Sequence, residues 1–316
     1  MSVLTEIVRV IPEGTIGFGI QLPVQALSSL IAADWEHTAG VNELVSAAVA
    51  ADRSGWSYVA VCDHVGIPTS RAEAMSTSWV NPVATLGFLA ARTDRVNLLT
   101  NIYIAPLRPP LETAKAFATL DWLSGGRVIL GVGAGHVAEE FEMLGVDFHH
   151  RGALLNQAID EVKVAWSGEY ASGIGQRPQP IRNPRPPIWV GGSTAPALRR
   201  VGERGDGWIP QGTPRSEMQA SIDAIRSARD AVRPGVGDPE FGWITWYAWI
   251  GDDVWDFPGY TKSGSAEQIA EQLQPLVDVG VTHFQVRLRA RSSSELNEQI
   301  ERWGNEVAPL VSATVS

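Results

Sequence analysis

Cysteine is almost absent from this chain. Cys62 is the only one in 316 residues, so no intramolecular disulfide and no cysteine-built metal cluster can form. Its valine neighbours predict a buried structural thiol, and the scarcity fits a reducing cytoplasm. Positive charge is also short. Lys and Arg number 25 against 35 Asp and Glu, a formal charge of -10, and no dense basic cluster offers a footprint for nucleic acid. Long apolar runs are missing, since none reaches the ~18 residues a membrane span requires. The opening MSVLTEIVRVIPEG has neither the basic start nor the apolar core of a signal peptide, so neither export nor a membrane partner is expected. No internal repeat and no low-complexity tract interrupts the chain. With 44% hydrophobic and 19% charged residues, it can bury a large core.

Short apolar runs alternate with amphipathic helical patterns. Strands are predicted at 15–21, 57–62, 95–101, 127–132, 187–191, 206–209, 240–247 and 282–288. One helical stripe is Val41, Leu44, Val45, Ala48 and Val49; another is Leu154, Leu155, Ala158, Ile159, Val162 and Trp166. Ser265 with Gln268 and Ser292 with Glu295 match capping boxes, and Pro275 is expected to kink or shorten its helix. Eight strand–helix units at this length point to a single-domain (β/α)8 TIM barrel spanning 1–316, with a doubly wound sheet as the alternative. Insertions at about 168–186 and 248–262 are expected at the C-terminal mouth, where they would shape a pocket.

The segment TLDWLSGGRVILGVGAG (119–135) joins a helix end, a Gly-Gly turn, a buried strand and a glycine-dense loop that lets backbone approach a ligand. Its glycines alternate, and no acidic residue ends a strand about 20 residues on, which argues against a Rossmann nicotinamide site. In VGGSTAPALRR (190–200) a strand ends at Gly191-Gly192 and Ser193-Thr194 open a helix. That is either an anion site at a helix N-terminus or a tight turn with an ordinary cap.

The ordered motifs CDHV (62–65), PLRPPLETAKAFATLDWLSGGRVILGVGAGH (106–136), EEFEMLG (139–145), HRG (150–152), PPIWVGGSTAPALRRVGERGDGWIP (186–210) and SGSAEQIAEQL (263–273) resemble the bacterial luciferase-like monooxygenase superfamily. Within it they are most similar to actinobacterial oxidoreductases that use the deazaflavin coenzyme F420. The resemblance implies a luciferase-like barrel with F420, or alternatively FMN, across its mouth. It implies catalytic roles for His64 and Asp63, an Asn101-Ile102 bulge carrying a non-proline cis peptide, and cofactor contacts from Ala134, Gly135, His136, Gly191, Gly192, Ser193 and Thr194. Where some sugar-phosphate-oxidising relatives carry an acidic Glu, this chain has His136, so that substrate does not transfer directly. The expected reaction is hydride transfer between F420 and a small organic substrate. The alternatives are an FMN-dependent monooxygenase and a non-catalytic flavin-binding or partner-binding barrel. Relatives often form homodimers, and one is expected here.

Other polar candidates rest on position alone. In the last strand His283, Gln285, Arg287 and Arg289 alternate with Phe284, Val286 and Leu288, so one face points into the barrel. Arg287 is a candidate for an anionic substrate, although a carboxylate partner is the commoner fate in an acidic protein. Arg199 and Arg200 either meet the cofactor's phosphate or lie solvated on their helix. Asp160 and Glu161 read as helix surface, and His149-His150 lacks the companions of a metal site, so no metal is expected. Trp246 and Trp249 are candidate pocket walls.

Overall fold

The computed structural model describes residues 6–29, 31–168, 173, 175–252, 254–257 and 259–313. Its strands are β1 (Gly17–Gln21), β2 (Tyr58–Val61), β3 (Asn97–Thr100), β4 (Tyr103–Ile104), β5 (Val128–Gly133), β6 (Ile188–Gly191), β7 (Gly207–Ile209), β8 (Glu240–Ile250), β9 (Thr261–Gly264) and β10 (His283–Leu288). Between them lie α1 (Val41–Arg53), α2 (Ala72–Met75), α3 (Pro82–Ala90), α4 (Pro110–Ser124), α5 (Ala138–Met143), α6 (Arg151–Trp166), α7 (Ala195–Arg204), α8 (Met218–Val232), α9 (Ala266–Val277) and α10 (Ser293–Arg302). β10 pairs in parallel with both β1 and β8, which closes the sheet. Eight parallel strands therefore form the barrel, while β4 extends the rim beside β5 and β9 beside β8. Among the described residues no helix is long and apolar enough to cross a membrane.

The α4–β5 unit shows how the sequence builds the barrel. Gly125 ends α4 in the left-handed region at φ 73°, and Gly126 follows at φ 86°, a reversal that costs other residues steric strain. The next run, VILGVG, is buried throughout, as a parallel strand covered on both faces must be.

Inside, the barrel is filled by alternating large and absent side chains. A Cβ on Gly19 would stand 1.9 Å from the Tyr58 ring and one on Gly207 2.4 Å from Trp189, so those glycines make room for the aromatics. Trp189 stacks on His283 at 4.1 Å, and Tyr58 Oη lies 3.1 Å from His283 Nδ1. Burial drives the His283 pKa down to about 3, so this imidazole is neutral. At the N-terminal end of the barrel, Glu240 accepts from the backbone N–H of Val10 (2.9 Å) and from Trp189 Nε1 (3.1 Å). Asp206 accepts from Val8 N–H and forks with Arg185 at 2.6 and 3.0 Å. The segment around Val8 to Ile11 is thereby tied across the closed end. A larger apolar shell joins strand exteriors to the helices.

Several details differ from expectation. In α1 the buried face is Leu44, Ala47, Ala48 and Ala51, and Val41 is exposed; small alanines allow closer approach to the barrel than valines would. Leu154 is only partly buried, and Ala165 joins the α6 stripe instead. β8 runs to Ile250 and pairs in parallel with β9, so strand takes up both ends of the expected 248–262 insertion and residues 251–260 connect them. Residues 169–172 and 174 of the 168–186 insertion lie outside the described residues. Pro275 sits in the last turn of α9, where the helix still reaches Val277. Ser265 and Gln268 form the complete capping box; Ser292 accepts from Glu295 N–H, but Glu295 turns its carboxylate to Arg291. Cys62 is not among valines. It is half-buried at the strand ends, within reach of Gln21 Nε2 (3.1 Å) and Gln25 Nε2 (3.7 Å), and burial pushes its thiol up to about 12.

Candidate active site

The C-terminal ends of the strands gather most of the predicted residues. β2 runs out into Cys62-Asp63-His64, and Asp63 and His64 take different partners at once. The Asp63 carboxylate, 1% exposed, forks with Arg108 at 2.6 and 2.9 Å and accepts from Ile104 N–H at 2.9 Å. Arg108 also covers the Tyr103 ring at 4.3 Å. Asp63 thus fastens β2 to the β4 rim, with three of its acceptor sites taken by Arg108 and Ile104 N–H.

His64 faces a different carboxylate. Glu140, in the first turn of α5, lies 3.1 Å from His64 Nδ1 and accepts from the N–H of Val65 (2.5 Å) and Gly66 (3.3 Å). Burial raises the Glu140 carboxyl, but the His64 hydrogen bond and the Val65 N–H outweigh it and hold the pKa below the ordinary range. An ionised carboxylate only accepts, so Nδ1 carries the proton and Nε2 is left as the open nitrogen of the ring. Trp79 packs edge-on at 4.5 Å and His136, exposed on the rim, at 5.5 Å. Burial, then the nearby His64, lowers the His136 pKa.

Below them is a polar floor. Asn101 Nδ2 donates to Gln285 Oε1, and Gln285 Nε2 to Gln21 Oε1 at 3.3 Å, next to Cys62. The Asn101–Ile102 peptide bond is cis. Ile102 then crosses the ends of β5 and β6: a Cβ on Gly133 would lie 2.0 Å from its Cδ1 and one on Gly191 2.7 Å from its Cγ2. The result is an apolar ledge over a polar floor. Ala134 and Gly135, the latter at φ 81°, continue from β5 beside it.

On the far side Gly192, at φ 112°, turns β6 into α7. Thr194 caps that helix without a side-chain hydrogen bond; Pro196 has no N–H and Ala197 N–H donates to Thr194 O at 2.8 Å, so the first turn leaves the Ala195 amide for an external acceptor. Ser193 Oγ bonds Gln211 N–H (2.8 Å) and Thr213 Oγ1 (2.5 Å), which fixes the adjoining loop. An extended ring system with a phosphate-bearing tail fits this layout, with the ledge for the ring and the α7 start for the phosphate.

Other candidates fall elsewhere. Arg200 is buried and bonds Asn156 Oδ1 and Gly152 O, tying α7 to α6, so it is neither solvated nor on the mouth. Arg199 pairs with Glu203 at 3.6 Å on the surface. His150 has a carboxylate after all, Asp147 at 2.6 Å, but among the described residues no group of three metal-binding side chains exists. Trp249 packs with Trp255 and Phe257, and Trp246 lies beside Trp243 and Lys262; Trp35, Tyr247 and Trp243 line the mouth clefts. Arg287 lines two clefts and has no carboxylate partner among the described residues, contrary to the commoner expectation. Glu140, Arg108 and Gln21 escaped the sequence reading; for Glu140 the one available signal was the acidic pair opening EEFEMLG.

A closed parallel barrel that gathers an oriented histidine and a glycine ledge at the C-terminal mouth has its candidate site where barrel enzymes carry theirs. The luciferase-like monooxygenase family model matches residues 22–254, and the chain belongs to that family. An uncharacterised protein of Mycobacterium tuberculosis is 30% identical over 296 residues, covering 84% of this chain and 94% of the relative. Among solved structures, an F420-dependent secondary alcohol dehydrogenase in complex with an F420–acetone adduct superposes with a TM-score of 0.73 at 17% identity, covering 94% of this chain and 99% of that one. The oxygenating constituent of 3,6-diketocamphane monooxygenase of Pseudomonas putida, in complex with FMN, gives 0.73 at 14% identity with the same coverage. Both likenesses speak for the fold. The family holds F420-dependent oxidoreductases and flavin monooxygenases alike.

Proposed function

We propose that this protein is an oxidoreductase that transfers hydride between coenzyme F420 and a small organic substrate. The observation that carries this reading is the His64–Glu140 pair. Such transfer to or from an alcohol or carbonyl centre needs a proton moved in step with the hydride, and an imidazole with Nδ1 anchored and Nε2 open can hold or give that proton. When bound, the deazaflavin supplies the hydride chemistry. Ile102, with Ala134 and Gly135, would carry the ring; Gly191 to Thr194 and the α7 start would hold the phosphate. Asn101, through Gln285, keeps the floor polar and fixed. Asp63 positions the β2 end through Arg108, which makes it a positioning residue in this scheme, while His136 stands beside His64 at the rim.

The FMN-dependent monooxygenase is the second reading, because the same loops accept either phosphate. Parallel titrations of the purified protein with F420 and FMN test the choice. Tighter F420 binding is expected. Stoichiometric FMN with no F420 binding would overturn the assignment in favour of the monooxygenase.

A further inference from the structure

We propose that Arg287 forms a subsite for a carboxylate on the substrate, at the β1–β10 edge of the mouth. The proposal deepens the active-site reading above and rests on it for the word substrate. Arg287 stands on the inward face of β10 and is half-buried. Its guanidinium has neither an ion pair nor a hydrogen bond among the described residues, only the Tyr247 ring at 5.6 Å. In a chain with ten more acidic than basic residues (35 against 25) this is unusual. Arg108, Arg185, Arg226 and Arg229 have all found carboxylates. A partly desolvated cation without an acceptor is costly to keep, and a bound oxyanion offsets that cost.

The surroundings favour an anion. In the cleft that Arg287 shares with Ile20, Gln21, Trp35, Tyr247 and Leu288, the one lining carboxylate is Glu36. Both its oxygens are occupied, Oε1 by Ala33 N–H at 2.8 Å and Oε2 by Val24 N–H at 2.7 Å. Burial raises its pKa besides, so it competes poorly for a cation. The buried Trp35 indole N–H has no partner and is a second spare donor on the same wall. Arg289, held over Tyr247 at 3.4 Å, adds positive potential nearby. A single planar fork flanked by aromatic and aliphatic walls matches one carboxylate bidentately, on a molecule with an apolar body. Arg287 also borders the cleft of Gln211, Thr213 and Trp243 next to the α7 loop, so the rival occupant is the cofactor's own anionic chain.

Benzoate is a suitable probe, with benzamide as its neutral counterpart. Tryptophan fluorescence titrations would be run on the protein alone and on the protein saturated with F420. Saturable benzoate binding, much weaker benzamide binding, and a loss of about 10–100-fold in benzoate affinity in Arg287→Gln are expected, with F420 affinity unchanged. Arg287→Lys, which keeps the charge and the fold but loses the fork, should fall between. No benzoate binding to the wild type, or equal binding in Arg287→Gln, overturns the subsite. A parallel loss of F420 affinity reassigns Arg287 to the cofactor, and inorganic phosphate displacing benzoate at lower concentration overturns the carboxylate class. Should F420 itself fail to bind, the titration of the protein alone still reads Arg287, so the two failures remain distinct.

Discussion

His64 and Glu140 divide one task between them. The imidazole meets the reacting atoms in the proposed mechanism, while the carboxylate selects the tautomer and, by gripping Val65 and Gly66 N–H, fixes the turn that presents the ring. The His64 side chain is only 6% exposed, but Glu140 keeps its bonds to Val65 and Gly66 N–H without it; His64→Ala should lower turnover by about 10²–10⁴-fold, with a modest drop in melting temperature and cofactor affinity little changed. Single-turnover kinetics beside thermal unfolding decide it, and normal hydride transfer in the folded variant would shift attention to His136. Glu140→Gln is a different experiment. An amide cannot accept from His64 and from both backbone donors at once, so kcat should drop by about 10–100-fold, the scale for a lost orienting partner, with KM little changed. The tautomer readout separates this from general damage: nitrogen NMR should show the Nδ1–H form of His64 dominant in the wild type and mixed in the variant. An unchanged tautomer in both would remove Glu140 from this role.

At the level of elements, the placement of α7 matters most, since its first turn is the proposed phosphate holder. Gly202 lets α7 lie against α8: a Cβ there would sit 2.3 Å from Ile225 O and 2.8 Å from Arg229 N, both backbone atoms that cannot swing aside. Gly202→Ala should therefore destabilise the protein by about 1–3 kcal/mol and weaken F420 binding as α7 shifts. Melting and titration on the same sample check both, and a variant as stable as wild type would refute the close contact. The α4–β5 unit was legible in the sequence because its determinants are local: a glycine pair at a helix end and a buried run of branched residues. The glycine loops and the His64 position were legible for the same reason, as contiguous motifs. Asp63–Arg108 and His64–Glu140 were not, since 45 and 76 residues separate the partners and no local period encodes such a pairing. In α1, Leu44 and Ala48 are buried as read, but Val41 is exposed and Ala47 and Ala51 take its place, because valine outranks alanine in hydrophobicity whereas packing distance selected alanine.

Across the whole molecule, the two ends of the barrel use buried charge differently. At the mouth the Arg287 guanidinium has no ion pair among the described residues, while the closed end ties charge to the N-terminal segment and the helix ends. Two groups at that end bring opposite pH dependence. Burial lowers the Lys163 pKa to about 7, its ammonium donating to Arg204 O at 2.6 Å. The unfolded chain then binds the extra proton between about 7 and the ordinary lysine value, and stability rises with pH across that window. Burial raises the Glu240 pKa to about 7 from an ordinary 4.5, against the pull of the Ile11 and Val10 N–H groups. Here the folded state holds the extra proton, so this contribution is fully present below 4.5 and is lost as pH rises through about 7. In the wild type the two slopes meet near neutrality and obscure each other. Glu240→Gln removes one of them. The variant carries a constant penalty from the mismatch with Trp189 Nε1, which accounts for an offset but not for a slope. The wild-type melting temperature minus that of Glu240→Gln should therefore fall as pH is raised from 5 to 8, with Lys163 cancelling in the difference. Melting curves of both proteins across that range are the measurement, and a difference that stays flat, or grows with pH, would show that Glu240 is already ionised in the folded protein.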